Sequence, residues 1–508
     1  MRTPRQATAC LHARIGALVA LLALAIAAAT AAAPATAATP PGTPLGHSGR
    51  WLTDADGRVV ILHGLNMTYK LPPYYPAAVG FDADDAAFLK SEGFNTVRLG
   101  IILKALEPAP GVYDGGYLER IRQTARLLGD AGIHVLIDFH QDMYNERFNG
   151  EGWPDWAVQD DGLAAEPDVG FPGNYFVMTA LWRAYDHFFA NDPGPGGIGL
   201  VQRYASAWRY VAQAFRSERE ILGYDILNEP FPGSVWTTCA NPEGCPVFDE
   251  GPLSLMTLRV LAAIRSADPT RLVLYEPNVT FNFGADTHHV DTGDANAGFS
   301  FHDYCLASLQ FLPQLQTTSD ACGVEQSIPF DNADKHSTRT GDALLLTEFG
   351  ATDDPTALER VLDLADQHMV SWQEWTYWGV DPCCARPEEG VIIDPSKPPS
   401  ADNVKQVKLD ALTRSYPRAV AGTPESFGFD RASKQFDLAY STSRAGGGLL
   451  PARAKTEVEL PKRQYPCGYR ADVSGGKVVS EAGAEVLRIA SLDGAARVTV
   501  RVTPVACG

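Results

Sequence analysis

Between Val59 and Trp378 the chain alternates short apolar runs with longer stretches of helical period. The runs Val59–Leu65, Asn95–Leu99, Ile133–Phe139, Leu222–Leu227, Arg271–Glu276, Phe299–Tyr304, Ala343–Phe349 and Val370–Trp378 predict strands. Helical patterns lie at Asp82–Glu92, Tyr117–Ala131, Leu200–Arg216, Leu253–Ala267, Pro355–His368 and Asn403–Arg414. Strands that alternate strictly with helices form a parallel sheet, and eight such units close into a (β/α)8 TIM barrel of the α/β class. Thr53-Asp54-Ala55-Asp56-Gly57 predicts a turn ahead of the first strand. Past Tyr416 the helical period disappears. Gln435–Tyr440, Thr456–Leu460, Lys477–Val479 and Arg497–Val502 are separated by Gly and Pro, which predicts a small C-terminal β-sandwich. The expected organisation is a signal peptide over 1–38, the barrel over 39–416 and the sandwich over 417–508, with Pro417 to Pro424 as linker.

The first segment reads as an export signal. Arg2, Arg5 and Arg14 flank an apolar, Ala-rich run from Ile15 to Ala33, and Ala35, Thr36 and Ala37 offer a small-residue cleavage site. No later apolar run reaches spanning length, so a secreted protein with its signal cleaved is expected. Cysteine usage agrees: Cys10 leaves with the signal and eight remain, an even number suited to an oxidising compartment. Proximity pairs Cys239 with Cys245, Cys305 with Cys322, and Cys467 with Cys507; Cys383 and Cys384 either bridge each other or pair elsewhere. Composition is ordinary for a globular chain, with 45% hydrophobic and 20% charged residues in 508. Without the first 37 residues, 39 bases face 61 acids, a formal charge of −22. Such a surface repels phosphate backbones and argues against nucleic acid, but it leaves contact with a membrane or micelle open.

The long insertions, 140–200, 229–252 and 305–340, all follow strands and therefore lie at the C-terminal face, where barrel enzymes place their chemistry. Two carboxylates end strands there. Glu229 follows Gly223-Tyr224-Asp225-Ile226-Leu227-Asn228 on the fourth strand, and Glu348 follows Ala343-Leu344-Leu345-Leu346-Thr347 on the seventh. Two carboxyls facing each other across a cleft are what glycoside hydrolysis requires, one to protonate the leaving oxygen and one to attack the anomeric carbon.

Leu227-Asn228-Glu229-Pro230 with Thr347-Glu348-Phe349-Gly350 resembles the retaining glycosidases of glycoside hydrolase family five. Within that family the chain is similar to the endoglycoceramidases. The similarity lies in Leu65-Asn66-Met67-Thr68-Tyr69-Lys70-Leu71-Pro72-Pro73, Gly80-Phe81-Asp82-Ala83-Asp84-Asp85-Ala86 and Asp138-Phe139-His140-Gln141-Asp142-Met143-Tyr144. The resemblance implies that Glu229 is the acid/base, that Glu348 is the nucleophile and that Arg98 serves the nucleophile. Tyr304 is expected to hydrogen-bond Glu348, and His302, on the same strand face, to meet the leaving side. Lys70, His140, Asp142 and Asn228 are implied sugar contacts, and Trp378 is the expected stacking residue, with Trp372 or Trp375 as alternatives.

The implied activity is cleavage of the bond between oligosaccharide and ceramide in glycosphingolipids, by a secreted monomer without cofactor or metal. A gala-series glycolipidase, a β-glucanase of the same family and a non-catalytic glycolipid-binding protein are the alternatives. The insertions carry Trp153, Trp156, Phe171, Tyr175, Phe176, Trp182, Phe231, Trp236 and Phe248, expected in part to form an apolar groove for the ceramide chains. Asn66-Met67-Thr68 and Asn278-Val279-Thr280 fit glycosylation sequons but sit at strand ends. Gly46-His47-Ser48-Gly49 lacks the strand-elbow-helix context of a serine hydrolase, and His288-His289 lacks further metal ligands.

Overall fold

Eight parallel strands close into a barrel in the computed structural model, which describes residues 44–305, 322–323, 325–379 and 384–507. Three strands precede it: β1 (Gly46–Ser48), β2 (Trp51–Thr53) and β3 (Val59–Val60). The barrel consists of β4 (His63–Met67), β5 (Thr96–Ile101), β6 (His134–Phe139), β7 (Ile221–Asp225), β8 (Leu272–Tyr275), β9 (Ala297–Asp303), β10 (Ala343–Phe349) and β11 (Ser371–Glu374). All six predicted helices form. Those at Ala83–Ser91, Gly115–Asp130 and Pro355–His368 start where Asp82, Asp114 and Asp354 accept hydrogen bonds from the first-turn backbone. Helices Thr179–Phe189 and Ser327–Thr340, which were not singled out, also form.

Period-two alternation sorts the barrel strands into two environments. Val97, Leu99 and Ile101 of β5, and Val135 and Ile137 of β6, join the large core beneath the helices. Leu136, Leu222, Leu272, Leu274, Ala343 and Leu345 form a separate cluster together with Leu45 and Leu52 from the N-terminal segment. Arg98 shares its face of β5 with neither apolar set. This arrangement leaves polar residues to occupy the interior toward the C-terminal ends of the strands.

The sandwich comprises β12 (Tyr416–Val420), β13 (Thr423–Asp430), β14 (Gln435–Ser441), β15 (Thr456–Glu459), β16 (Tyr469–Ser474), β17 (Gly476–Val478), β18 (Val486–Ser491) and β19 (Arg497–Pro504). One sheet runs β1-β2-β3-β12-β15-β18-β17 and the other β13-β14-β19-β16. Two expectations are corrected here. The apolar run Val59–Leu65 is not one strand: Val59 and Val60 pair with Val420 and Ala419, and the barrel begins only at His63. A run buried throughout carries no mark of where one sheet hands over to the next. The expected linker Pro417–Pro424 is strand at both ends: residues 417–420 lie in β12, a central strand of the larger sheet, and Thr423 and Pro424 open β13.

Disulfides join Cys239 to Cys245, Cys305 to Cys322 and Cys467 to Cys507. Cys384 is also disulfide-bonded. Cys383 and the segment 1–38 lie outside the described residues. Among the described residues no helix is long and apolar enough to cross a membrane.

His63 stands at the junction of barrel and sandwich, stacked on Trp372 and Tyr416 with ring centroids 4.3 and 3.8 Å away. Neither ring nitrogen meets a hydrogen-bond partner. Burial, aided by the Arg414 charge, pushes the imidazole well below its usual pKa. A depressed pKa means the folded state stays neutral while the unfolded chain takes up a proton, so stability is lost as pH falls below about 6.5. One such group costs up to about 1.4 kcal/mol per pH unit in that window. His63→Phe, which keeps the stack, is expected to lose less thermal stability than the parent between neutral and acidic pH. Parallel melting curves across that range check this, and identical acid sensitivity in both proteins would contradict it.

Candidate active site

The inward face of the barrel's C-terminal half is ionic, and a single guanidinium stands at its centre. Arg98, on β5, is fully buried. Its Nε lies 3.0 Å from Asp225, its Nη1 2.6 Å from Glu348, and its Nη2 3.1 Å from Asp138 and 2.8 Å from Glu276. Asn66 and Asn228 also accept from it, at 3.3 and 3.1 Å. Burial alone would weaken the charge, but the surrounding carboxylates outweigh it and hold Arg98 well above its ordinary pKa. One cation cannot neutralise four anions. Asp225, raised by burial and by Glu276 and Asp138 against the pull of Arg98, titrates at about 7.

Glu348 reaches this centre because β10 is irregular. Its register with β9 shifts between Leu346 and Glu348, so that Glu348 lies opposite His302. An extra residue at that point resets the inward-outward alternation, a recurrent way of re-aiming a side chain beside a site. Tyr304 donates its hydroxyl to Glu348 Oε2 at 3.0 Å. Glu229 follows β7 with φ +45°, a left-handed conformation that costs a residue with a Cβ roughly 1–2 kcal/mol. Its Oε1 accepts from Asn282 at 2.7 Å and lies 3.0 Å from His302 Nδ1. Oxygens of Glu229 and Glu348, together with a His302 nitrogen, all lie within 4.8 Å of one another.

The two carboxyls differ electrically. Glu348 has the guanidinium and the phenol. Glu229 lacks a formal cation other than His302, and burial drives its pKa up, with the Glu348 charge pushing the same way and His302 opposing. Burial would depress His302, but Glu276 and Glu348 raise its pKa well above the ordinary value.

These groups open into a cleft. Lys70, His140, Asp142, Trp375 and Glu389 are among its lining residues. Lys70 pairs with Asp142 and sits 4.5 Å over the Trp375 ring, which stacks on His140 at 5.0 Å and donates to Glu389 at 2.9 Å. Burial raises Glu389 to about 7. Phe171, Pro172, Tyr175, Phe176, Val279 and Phe283 also line the cleft.

Arg98, Glu229, His302, Tyr304 and Glu348 thus converge, and Lys70, His140 and Asp142 form the adjoining polar cluster. Two expected sugar contacts do not reach the cavity. The Asn228 amide accepts from Arg98 and donates to the Gln141 carbonyl at 3.0 Å, which ties it into the wall. Trp378 donates to the Thr68 carbonyl at 3.2 Å and packs edge-on against Tyr69 and Tyr377. β11 ends at Glu374; the next residue, Trp375, lines the cleft, whereas Trp378 is buried away from it. Trp372 is buried against His63. Of the apolar insertion residues, Phe171, Tyr175 and Phe176 line the cavity, whereas Trp153, Phe231 and Phe248 pack the insertions internally.

Sequence reasoning passed over Asp138, Asp225, Glu276, Asn282 and Glu389. Glu276 had a usable signal, since it ends the fifth run of the barrel as Glu229 and Glu348 end theirs.

The family model described as Cellulase (glycosyl hydrolase family 5) matches residues 53–381, and that of the glycoside hydrolase family 5 C-terminal domain matches residues 414–503. Endoglycoceramidase I of Rhodococcus hoagii (strain 103S) is 34% identical over 471 residues, 91% of this chain and 88% of the relative. The solved endo-glycoceramidase II from Rhodococcus sp. superposes as its lactosyl-enzyme intermediate at a TM-score of 0.72 and 29% identity. That match covers 90% of this chain and all of the other (100%). Its ganglioside GM3 complex superposes at 0.73 and 28% identity, with coverage of 90% and 99%.

Removing the central cation tests this electrostatic picture. Arg98→Leu strands Asp138, Asp225, Glu276 and Glu348 without their shared partner, and a loss of about 3–5 kcal/mol in urea unfolding is expected. A variant as stable as the parent would contradict the picture.

Proposed function

The chain belongs to glycoside hydrolase family 5, and we propose that it is a retaining endo-β-glycosidase that releases the oligosaccharide of glycosphingolipids from ceramide. The observation that carries this reading is a close carboxyl pair in a cleft lined by both polar and apolar side chains. Carboxyls about 5–5.5 Å apart suit retention, whereas inversion needs about 6.5–9.5 Å for an intervening water. The close approach of Glu229 and Glu348, within 4.8 Å, supports the first.

In the proposed mechanism Glu348 is the nucleophile. Arg98 lies 2.6 Å from its carboxylate, and Tyr304 orients it through a hydrogen bond. Glu229, whose burial favours the protonated form, is the acid. Glu348 attacks the anomeric carbon while Glu229 gives its proton to the departing ceramide oxygen, which leaves a glycosyl ester on Glu348. Glu229, now a carboxylate, takes a proton from water. The resulting hydroxide attacks the same carbon, releases the sugar with its original configuration and restores both carboxyls.

Lys70, Asp142, Glu389 and the Trp375 ring suit sugar hydroxyls and a sugar face. Phe171, Phe176, Val279 and Phe283 suit a leaving group of long hydrocarbon chains, and here the reading departs from a β-glucanase, whose leaving group is another sugar. Endoglycoceramidase I and the GM3 complex of endo-glycoceramidase II point to the same substrate class. The signal-like first segment and the disulfides support export. Exposed Val169 and Val247, borne on the insertions after β6 and β7, suit transient contact with a membrane or micelle surface.

The test is kcat/KM for one glycan on leaving groups of increasing chain length, below the micelle threshold. Each methylene that the apolar lining residues bury contributes about 0.8 kcal/mol, so a steady rise with length is expected. Indifference to the lipid, with comparable rates on soluble cello-oligosaccharides, would overturn the glycolipid assignment in favour of a β-glucanase.

A further inference from the structure

We infer that Glu276 is the positioning residue for the acid/base Glu229, holding it by its backbone and, through His302, by its carboxyl. The inference rests on the role proposed for Glu229 and adds a residue that the motifs do not mark.

Glu276 directly follows β8 and is buried, and it does not line the cavity. Its Oε2 accepts the backbone N–H of Glu229 at 2.8 Å. Its Oε1 accepts from Arg98 Nη2 at 2.8 Å and faces His302 Nε2 at 3.4 Å. The other nitrogen of that ring lies 3.0 Å from Glu229 Oε1. Three nitrogens therefore converge on two oxygens of one side chain, and two of the three belong to Glu229 or to its carboxyl's neighbour.

Glu229 needs such a hold. With φ at +45° it occupies a backbone conformation that residues with a Cβ avoid, and such strain persists only where the surroundings impose it. The bond from its N–H to Glu276 acts on the strained peptide itself. Arg98 in turn anchors Glu276, and that couples the acid/base to the cation paired with the nucleophile. A carboxylate is required for this. Glutamine keeps one acceptor oxygen and turns an NH2 toward a donor, so it serves Glu229 N–H only by opposing Arg98 and His302. Asn282, the further partner of Glu229 Oε1, bonds the carboxyl alone and does not constrain the backbone.

General acid catalysis matters in proportion to the basicity of the leaving group, which separates positioning from mere support of the fold. Glu276→Gln and the shorter Glu276→Asp are assayed on phenyl β-lactoside, whose leaving group needs a proton, and on 2,4-dinitrophenyl β-lactoside, whose leaving group does not. Circular dichroism confirms folding of each. Glu229→Gln is the control. For either folded Glu276 variant, kcat/KM is expected to fall about 100-fold on the phenyl glycoside and less than about 10-fold on the dinitrophenyl glycoside. Azide, which needs no base, should raise kcat on the dinitrophenyl glycoside. Equal losses on both substrates, no loss on either, or failure of both variants to fold would overturn the proposal. If Glu229→Gln itself lacks the leaving-group dependence, the acid/base reading has failed. If it shows the dependence and the Glu276 variants do not, only the Glu276 proposal has failed.

Discussion

Four carboxylates share the guanidinium of Arg98 inside the barrel, and the geometry of the cleft depends on that sharing. Burying an ion costs several kcal/mol even after relaxation, and the cost is recovered only when its hydrogen-bonding groups are satisfied by well-placed partners. Arg98 meets that condition by hydrogen bonds to Asp225, Glu276, Glu348, Asn66 and Asn228, with Asp138 3.1 Å away. The four carboxylates come from β6, β7, the end of β8 and β10, so the guanidinium also gathers the barrel mouth. Burial and the crowd of carboxylates act together here. Burial, with Glu276 and Asp138, shifts Asp225 to about 7; burial, with Glu348, raises the carboxyl of Glu229; and Glu276 and Glu348 raise His302 against its own burial.

The rest of the architecture supplies what this centre needs. Leu136, Leu222, Leu272 and Leu345 form an apolar cluster on the inward face, and Leu45, just ahead of β1, and Leu52 of β2 join it. Those strands belong to the sandwich sheet, which explains why the C-terminal domain packs on the barrel through residues from both chain ends. At the other end, segments that follow β6, β8, β10 and β11 line the cleft. The disulfides Cys239–Cys245 and Cys305–Cys322 tie the insertions after β7 and β9. Such loops carry function on a rigid scaffold.

Much of this was legible in the sequence because a barrel strand announces its own end. Glu229, Glu348, Arg98, His302 and Tyr304 each close or nearly close an apolar run, and that position alone directs them to one mouth. The runs failed where apolar residues continue past their strand. Trp372-Gln373-Glu374-Trp375-Thr376-Tyr377-Trp378 offers three tryptophans, and only the end of β11 at Glu374 selects Trp375. Val59–Leu65 failed in the same way, as one apolar run divided between two sheets. The register shift at Thr347 has no sequence mark, although it decides the direction of Glu348. Glu276 was marked by its place at the end of an apolar run, but its partners were not; those of Glu276 and Asn282 lie elsewhere in the chain, and only folding brings these donors and acceptors together.

The account turns on Glu348 forming a covalent bond to the sugar. Incubation with 2-deoxy-2-fluoro-β-lactosyl fluoride, in which the fluorine slows release from the enzyme more than it slows attack, followed by proteolysis and mass spectrometry, reads this directly. The expected result is one lactosyl-type adduct per chain, on the peptide that contains Thr347-Glu348-Phe349 and on Glu348 itself. An adduct on Glu229, or turnover with inverted configuration and no adduct, would contradict it.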